Sequence, residues 1–401
     1  MREPRPILPA SDPLLAIDRR RLLVSAAAAA AAFALPGCRT ASPGTAMRGG
    51  ARAARPPGCA LAPVHVSPGR EIRTVAGLRP YRPSGFVVRA ERLGDQLVVH
   101  NYGHGGGGIT LSWGTARLAV DLVPSEERGP VAVLGCGAVG LATARLLQES
   151  GRAVRIYARA VPPNTTSDIA GGQWFPFFVV DPRRRTPEFM KQFLAAATFA
   201  YSRYQVMAGA RYGVRWMRNY TLRNDEWDEG ALVGREGPMQ GFMPELRDLA
   251  PDEHPFSGFR YVRQFDSMII EPPVYLAAMV DEVRFGGAEI RIGEIPDRDA
   301  IRRLPERVVI NCTGLGAKAL FADEELTPVK GQLTFLLPQP EVDYAVLQDE
   351  LYMFPRSDGI LLGGTHQRGV WSLEPDPAAK ARVLAGHQAM FDGFRRCAPR
   401  G

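Results

Sequence analysis

A glycine pattern gives the strongest chemical signal in this sequence of 401 residues: Gly135-Cys136-Gly137-Ala138-Val139-Gly140. In a segment that runs from a strand through a turn into a helix, Gly135 permits the tight turn and Gly137 lets the backbone approach a pyrophosphate. Gly140 allows the helix to pack closely on the strand, and the helix N-terminus presents N–H groups to phosphates. The pattern predicts a dinucleotide site, but it does not tell which dinucleotide is bound.

The end of the second predicted strand lacks an acid that this type of site usually has. A carboxylate is expected there to bind ribose hydroxyls, yet the sequence is Tyr157-Ala158-Arg159-Ala160. Arg159 suits contact with a phosphate or with adenine. A solvated surface arginine is the plainer interpretation.

Four consecutive glycines, residues 105–108, precede a helix predicted to begin near Thr110. Unpaired N–H groups and the positive end of the helix dipole suit such a loop to a group on which negative charge develops. The neighbouring His100 and His104 are expected to be structural rather than catalytic or metal-binding. The spacing of Cys and His residues suggests neither a metal site nor a disulfide framework.

Three blocks upstream of the glycine pattern show a family resemblance. They are Gly77-Leu78-Arg79-Pro80, Val99-His100-Asn101-Tyr102-Gly103-His104-Gly105-Gly106 and Leu111-Ser112-Trp113-Gly114-Thr115-Ala116. They resemble the segment that closes the chain in the D-amino-acid oxidase family, where the glycine pattern opens the chain. The resemblance therefore implies a circularly permuted member, with residues 123–130 joining termini that lie close together at the surface.

The resemblance implies FAD as the cofactor. Residues 164–174 are similar to the family stretch T-T-x-x-A-x-G-x-W-x-P, whose hydroxyls contact phosphate and whose small residues let the backbone approach the flavin ring. By this resemblance the cofactor-binding residues are Gly105, Gly106, Gly107, Gly108, Ile109, Thr110, Gly135, Gly137, Ala138, Val139, Gly140, Arg159, Thr166, Ser167, Gly171, Gly172, Gln173, Ile295, Thr313 and Gly314.

The same resemblance implies three catalytic residues. Arg79 would form a forked pair with the substrate carboxylate, a geometry that a guanidinium supplies and an ammonium does not. Tyr352 would donate to that carboxylate, and Gly106 would lie near the substrate amine. Gln348 stands where several members of the family have a second tyrosine. Orientation, without a general base, would allow hydride transfer from a D-amino acid to flavin N5, giving a 2-oxo acid, ammonia and hydrogen peroxide.

Three alternatives remain open from the sequence. Arg82 and Arg368 could bind an acidic side chain, as in a D-aspartate oxidase. A membrane-tethered flavoprotein could instead pass electrons from an amino acid to a quinone. The chain could also be a flavin-binding lipoprotein without catalysis, an interpretation motivated by Gln348 and by the missing ribose acid.

The elements that must position these residues predict an α/β fold. Strands are predicted at residues 86–90, 96–100, 131–134, 154–158, 308–311, 332–337, 351–354 and 359–362, and helices at 109–122, 139–150, 186–207, 273–285 and 377–395. They indicate a Rossmann-like, doubly wound FAD domain and a substrate domain with a largely antiparallel sheet. The predicted FAD segments are 96–177 and 276–325, the predicted substrate segments are 71–95, 178–275 and 326–358, and residues 359–401 are mixed and end in a helix.

The N-terminal region predicts export. Arg19-Arg20-Arg21 precedes an alanine-rich apolar stretch, residues 22–35, that is too short to span a membrane. Residues 1–38 resemble a twin-arginine signal with a possible lipoprotein cleavage site before Cys38, and residues 39–70 are predicted to be a flexible linker. A disordered tail is the alternative. Of the net charge of +7, residues 1–55 contribute +6, so the remainder is nearly neutral and a nucleic-acid partner is not expected.

Overall fold

The structure is a computed structural model that describes residues 61–394. Along the chain the strands are β1 (Glu71–Tyr81), β2 (Val87–Leu93), β3 (Gln96–Tyr102), β4 (Val131–Leu134), β5 (Val154–Ala158), β6 (Val214–Arg223), β7 (Arg247–Leu249), β8 (Tyr261–Ile270), β9 (Glu289–Ile292), β10 (Val308–Asn311), β11 (Thr327–Leu336), β12 (Tyr344–Gln348), β13 (Leu351–Arg356), β14 (Gly359–Gly363) and β15 (Gln367–Arg368). The helices are α1 (Gly108–Val120), α2 (Ala138–Glu149), α3 (Pro187–Val206), α4 (Pro272–Phe285), α5 (Arg298–Arg302), α6 (Gly316–Phe321) and α7 (Pro377–Asp392). No helix within residues 61–394 is both long and apolar enough to cross a membrane.

The first sheet has six strands in the order β2-β3-β10-β4-β5-β9. All neighbours are parallel except β2, which is antiparallel to β3. Strands β4 and β10 are buried along their whole length, as expected for the unbroken apolar run 131–134 in a parallel sheet covered on both faces. Because the parallel strands end at one edge, the loops that follow β3, β10, β4, β5 and β9 meet there.

Helices α1 and α2 pack beside one another on this sheet, and α3 packs against α1. The contact between α1 and α3 depends on Gly114, because a Cβ at this position would lie 1.8 Å from the carbonyl oxygen of Ala196. Helix α3 begins where Thr186 accepts a hydrogen bond from the N–H of Phe189 at 3.1 Å and Pro187 occupies the first turn. The apolar residues of these helices pack against β3, β4, β5 and β10 and form one hydrophobic core with them.

The second sheet has nine strands, ordered β1-β11-β14-β13-β12-β6-β8-β7 with β15 paired to β11. All of its pairs are antiparallel except β12 with β6. The two sheets confirm the predicted combination of a doubly wound sheet and a largely antiparallel one. The helix predicted at 186–207 is α3, and the strands predicted at 131–134, 154–158 and 308–311 are β4, β5 and β10.

Part of the predicted flexible linker is instead packed against the second sheet. Val64 and Val66 are buried, whereas His65 between them is exposed. The hydroxyl of Tyr344 donates to the carbonyl oxygen of Ala62 at 2.6 Å. The prediction of a linker over 39–70 is therefore wrong for residues 61–70, because a composition rich in Ala and Pro concealed the alternation of apolar residues in this segment. The twin-arginine motif, Cys38 and residues 39–60 lie outside the described residues.

A boundary of the predicted substrate segment 71–95 also differs from the structure. All seven residues of β2 pair with β3, through a two-residue turn in which Gly94 has a φ of 65°. Residues 87–93 therefore belong to the six-stranded sheet. The chain passes from one sheet to the other between Tyr81 and Val87, because β1 pairs with β11 as far as Tyr81.

Candidate functional site

One cavity of about 1700 Å³ lies between the strand ends of the six-stranded sheet and one face of the nine-stranded sheet. Its walls include the glycine loop before α1, the turn before α2, residues 163–173 and the loops after β9 and β10. The opposite wall includes Arg79 from β1, Gly331 from β11 and Tyr352 from β13. The cavity thus joins residues from both ends of the described chain.

The turn between β4 and α2 has the geometry that its glycine pattern predicts. Gly135 has a φ of 103°, a conformation that favours glycine. A Cβ on Gly140 would lie 2.0 Å from the carbonyl oxygen of Gly135, so only glycine lets α2 start this close to the turn. The N–H of Ala138 donates to Oγ of Ser167 at 3.0 Å. The helix N-terminus and the hydroxyl-bearing loop therefore meet where the pattern predicts phosphates.

The loops after β5 and β9 form the corner of the cavity beside this turn. Arg159 and Ala160 follow β5, and residues 293–296 follow β9. The N–H of Gly293 donates to the carbonyl oxygen of Ala158 at 3.0 Å, which fixes the two loops side by side. Arg159 and Ile295 both line the cavity here, on these two neighbouring loops. Glu294 also lines this corner, and no pattern in the sequence indicated it as a site residue.

Residues 165–173 form a small-residue wall. Asp168 accepts hydrogen bonds from the N–H and the hydroxyl of Thr165, at 2.8 and 2.7 Å, which holds the loop in a capped turn. A Cβ on Gly171 would lie 2.9 Å from the ring of Phe354, and one on Gly172 would lie 2.1 Å from the carbonyl oxygen of Ile270. The glycines therefore allow this loop to pack on the second sheet while its backbone faces the cavity.

The glycine loop before α1 approaches the cavity from the other side. The N–H of Gly106 donates to the carbonyl oxygen of Phe178 at 3.0 Å. A Cβ on Gly106 would lie 2.6 Å from the carbonyl oxygen of Phe177. His104 is buried, lies 2.8 Å from the hydroxyl of Thr115, and has its pKa lowered to about 3 by burial. It is uncharged at neutral pH and packs behind the loop, in keeping with a structural role.

Arg79 and Tyr352 meet at one end of the cavity. Nη2 of Arg79 lies 3.4 Å from the hydroxyl of Tyr352, although 273 residues separate them in sequence. Nη1 of Arg79 donates to the carbonyl oxygen of Thr365 at 3.1 Å. Two glycines leave room for these side chains, because a Cβ on Gly331 would lie 2.4 Å from Nη1 of Arg79 and one on Gly363 would lie 2.1 Å from the ring of Tyr352. The result is a paired guanidinium and phenol at the cavity wall.

The same end of the cavity contains two further groups. His366 lines it, and its pKa is lowered to about 4 by burial, with a second contribution from the positive charge of Arg79. Arg368 lies over the rings of Tyr81 and Phe178, at 4.9 and 5.4 Å. Neither Arg79 nor Arg368 has a carboxylate partner within residues 61–394. Two guanidinium groups without a carboxylate partner therefore line this end of the cavity beside a neutral His366, and the guanidinium of Arg79 suits an anion. The carboxyl groups of Asp349 and Glu350 line the cavity here as well.

Arg82, the other arginine that we considered for an acidic side chain, does not line the cavity. It forms ion pairs with Asp323 at 2.8 Å and with Glu325 at 2.6 Å, and its side chain is largely buried. Its charge is therefore compensated. No pattern in the sequence indicated His366 as a site residue, and it reaches the cavity through the loop that follows β14.

Most of the predicted site residues come together in this one cavity. The residues that line it are Arg79, Gly105, Gly106, Gly108, Ile109, Thr110, Gly135, Gly137, Ala138, Val139, Arg159, Thr166, Ser167, Gly171, Gly172, Gln173, Ile295, Thr313, Gly314 and Tyr352. Gly107 and Gly140 are buried behind the wall. Their contribution is packing, since a Cβ on Gly107 would lie 2.7 Å from the side chain of Val179.

The shape and lining of the cavity fit a flavin dinucleotide. Its length follows the sheet edge from β9 and β5, past the turn before α2, to the loops after β10 and β3. A dinucleotide in a doubly wound sheet lies in this crevice, with its pyrophosphate at the helix N-terminus. The glycines at 106, 171 and 172 let these loops pack closely on their neighbours, so that backbone without side chains lines the cavity where a flat ring would lie.

Comparisons with known proteins agree with this geometry. A family model described as DAO, FAD dependent oxidoreductase, matches residues 16–122 and 130–400. The D-amino-acid oxidase of Rubrobacter xylanophilus is 33% identical over 273 residues, 66% of this chain and 77% of that protein. The D-amino-acid oxidase of Streptomyces coelicolor is 31% identical over 283 residues, 68% of this chain and 78% of that protein.

A solved structure shares the fold. Glycine oxidase from Geobacillus kaustophilus superposes with a TM-score of 0.51 at 18% identity, over 67% of this chain and 80% of that chain. At this level of identity the similarity concerns the fold alone.

Proposed function

Because the chain belongs to the DAO family of FAD-dependent oxidoreductases, we propose that it oxidises D-amino acids to 2-oxo acids, with release of ammonia and hydrogen peroxide. The observation that carries this proposal is the pair formed by Arg79 and Tyr352 at one end of the cofactor cavity. An α-amino acid has a carboxylate beside the carbon to be oxidised, and this pair suits such a carboxylate.

Arg79 binds the substrate carboxylate in this proposal. A guanidinium presents two parallel N–H donors to a carboxylate, and the hydroxyl of Tyr352 adds a third donor beside them. In the structure Nη1 of Arg79 donates to the carbonyl oxygen of Thr365, so binding requires only that the guanidinium exchange one acceptor for another. His366 is neutral at this end of the cavity because its pKa is lowered. The charge of the substrate carboxylate is therefore compensated by Arg79 and not by His366.

Gly106 lies across the cavity, on the loop before α1, and is proposed to face the substrate amine. Fixing the carboxylate and the amine at two points directs the α-hydrogen of one enantiomer toward the cofactor, and orientation supplies most of the acceleration. Bound FAD supplies the hydride acceptor for this oxidation. The imino acid then reacts with water to give the 2-oxo acid and ammonia, and oxygen takes the electrons to give hydrogen peroxide.

The proposed cofactor-binding roles follow the path of the cavity. The turn at Gly135 and Gly137, with Ala138 at the start of α2, suits the pyrophosphate, supported by the hydroxyls of Thr166 and Ser167. The loops with Gly171 to Gln173 and with Gly105 to Thr110 suit the flavin ring. Thr313 and Gly314 follow β10 between these two parts, and Arg159 and Ile295 lie at the opposite corner.

A second candidate substrate class is acidic D-amino acids. Arg368 supports it, because this arginine lines the substrate end of the cavity and has no carboxylate partner in the described part of the chain. The ratio of kcat/KM for D-aspartate to that for D-alanine tests it, in the protein and in Arg368→Leu. A ratio above one that falls in the variant supports the acidic class, and a ratio below one in both proteins rejects it.

Circular permutation is also part of the proposal. It is supported by the family match in two segments on either side of residues 123–129, which connect α1 to β4 as a short loop. Alignments that leave about a third of this chain uncovered are consistent with it. The experiment is to move the termini back, by opening the chain between residues 128 and 129 and joining residue 394 to residue 61. A variant that folds and binds FAD supports the permutation, and one that does neither counts against it.

Export by the twin-arginine pathway, with lipid attachment at Cys38, is proposed from the sequence alone. A pathway that moves folded proteins suits a protein that binds its cofactor before export. Fractionation of cells that express the full chain and its Arg20→Lys, Arg21→Lys variant tests export. Labelling with a radioactive fatty acid tests the lipid, and it is expected to disappear in Cys38→Ala.

The experiment that tests the proposed activity is anaerobic mixing of the holoprotein with D- and L-amino acids while the visible flavin absorbance is followed. Bleaching by D-isomers alone supports the proposal. A flavin that no amino acid reduces would overturn it. Repeating turnover with oxygen and with a soluble quinone then identifies the electron acceptor.

A further inference from the structure

The cofactor corner beside β5 lacks the acid that usually binds the ribose. No acid occurs between Tyr157 and Ser167, and the next one, Asp168, is already engaged by the N–H and hydroxyl of Thr165. A dinucleotide bound in the crevice would thus leave its ribose hydroxyls without their usual carboxylate from this strand. The structure offers another carboxylate one strand away.

We infer that Glu294, on the loop after β9, binds the ribose hydroxyls of the adenosine half of FAD. Strand β9 is the parallel neighbour of β5, with Ile292 beside Ala158. Glu294 is two residues beyond the strand end, exposed, and part of the cavity lining. An acid on β5 would lie directly beside the ribose, whereas Glu294 starts one strand farther away. Neighbouring strands lie about 4.8 Å apart, and the long side chain of a glutamate can reach across this distance.

The loops on both strands are fixed relative to each other. The N–H of Gly293 donates to the carbonyl oxygen of Ala158 at 3.0 Å. Glu294, the next residue, therefore lies beside the start of the loop that follows β5. Its carboxylate has no ion-pair partner within residues 61–394. It is therefore available to accept hydrogen bonds, unlike Glu289 on the same strand, which pairs with Arg155 and Arg291.

The other acids that line the cavity lie elsewhere. Glu324 follows α6 and pairs with Lys318 at 2.9 Å. Asp349 and Glu350 form the turn between β12 and β13, at the end of the cavity where Tyr352 lies. Among the described residues Glu294 is the only cavity-lining acid at the corner of β5 and β9, where the adenosine half of a dinucleotide is expected.

A simple surface charge at this position would have the opposite effect on binding. The FAD pyrophosphate is negatively charged, so a nearby carboxylate without a hydrogen-bonding role would repel it. Removal of the charge would then strengthen FAD binding. Removal of a hydroxyl-binding carboxylate would weaken it. The sign of the change therefore separates the two roles.

The experiment measures the Kd of apoprotein for FAD and for FMN by flavin fluorescence, with Glu294→Ala and the control Glu289→Ala. Glu289 carries the same charge on the same strand but lies outside the cavity lining. We expect Glu294→Ala to raise the FAD Kd roughly 10- to 100-fold, the loss of hydrogen bonds to a charged acceptor. The FMN Kd should not change, because FMN has no adenosine.

An FAD analogue that lacks the 2′-hydroxyl of the adenosine ribose completes the test. The unmodified protein is expected to prefer FAD over the analogue, and Glu294→Ala is expected to bind both equally. Tighter or unchanged FAD binding by Glu294→Ala, or an equal loss for FMN, would overturn the inference. These are binding measurements, so their outcome does not depend on the amino-acid chemistry proposed above.

Discussion

Replacing Gly331 by alanine is expected to move Arg79 while leaving the fold in place. The new Cβ would lie 2.4 to 2.5 Å from Nη1, Cζ and Nη2 of Arg79, and atoms this close must separate. The guanidinium is the end of a long, flexible side chain, so it moves and the strand does not. Gly331 is not among the glycines with positive φ, so alanine fits the backbone of β11.

The expected magnitude follows from the hydrogen bonds that the displaced guanidinium loses. If the shift removes one of the two forked bonds to the substrate carboxylate, the loss is about 1.5 to 3 kcal/mol, or roughly 10- to 150-fold in kcat/KM. Part of the loss should fall on kcat, because a displaced carboxylate misdirects the α-hydrogen. The free energy of unfolding should change by less than about 1 kcal/mol.

The assay compares kcat/KM for a D-amino acid, the flavin spectrum and urea unfolding in Gly331→Ala and in Gly241→Ala. A methyl group on Gly241 would have no other atom within 4 Å, so its variant controls for the change of glycine to alanine. A Gly331→Ala protein with full flavin content and kcat/KM within twofold of the unmodified protein would refute the assignment of Arg79 to the carboxylate. Loss of flavin or of stability would show that Gly331 supports the sheet and not the arginine.

Three further predictions follow from the same geometry. Tyr352→Phe removes the hydroxyl that lies 3.4 Å from Arg79 and should raise the substrate KM about 5- to 10-fold with unchanged flavin content; an unchanged KM would contradict its role. Gly140→Ala places a Cβ 2.0 Å from the backbone oxygen of Gly135, and a backbone atom cannot move aside as a flexible side chain can. The turn must therefore shift, and titration of the apoprotein with FAD should give a Kd raised roughly 10- to 100-fold. Burial lowers the pKa of His104 to about 3, so below about pH 6.5 the unfolded chain binds a proton that the folded chain does not. The free energy of unfolding should therefore decrease as the pH drops below about 6.5, by up to roughly 1.4 kcal/mol per pH unit. Urea unfolding of His104→Gln should show a smaller decrease over the same pH range.

Local sequence patterns predicted the turn before α2 and the loop before α1 because the geometry of each is local. The turn around Gly135 depends on residues within one strand, one turn and one helix, and the short apolar run 131–134 identified the strand. The glycines at 105–108 likewise indicated their own loop before α1. In each case the feature that imposes the conformation, such as the missing Cβ on Gly140, is visible in the sequence itself.

The features that sequence patterns missed depend on contacts between distant residues. Arg82 looked available for a substrate, but Asp323 and Glu325 compensate its charge from more than 200 residues away. Residues 61–70 looked like linker because only Tyr344 and its neighbours give Val64 a surface to pack against. Glu294 became a candidate only once β9 was known to lie beside β5, since the order of strands in a sheet is not written in any one segment.

The pairing of β3 with β10, and of β1 with β11, sets when the protein can acquire its cofactor during synthesis. Strands β1 and β3, with Arg79 on β1, emerge from the ribosome early. Their partners β11 and β10, and Tyr352 on β13, emerge more than 200 residues later. Such distant pairing is slow to form, and the cavity has no second wall until Tyr352 has emerged. Tight FAD binding is therefore expected only after synthesis has passed Tyr352, close to the end of the chain.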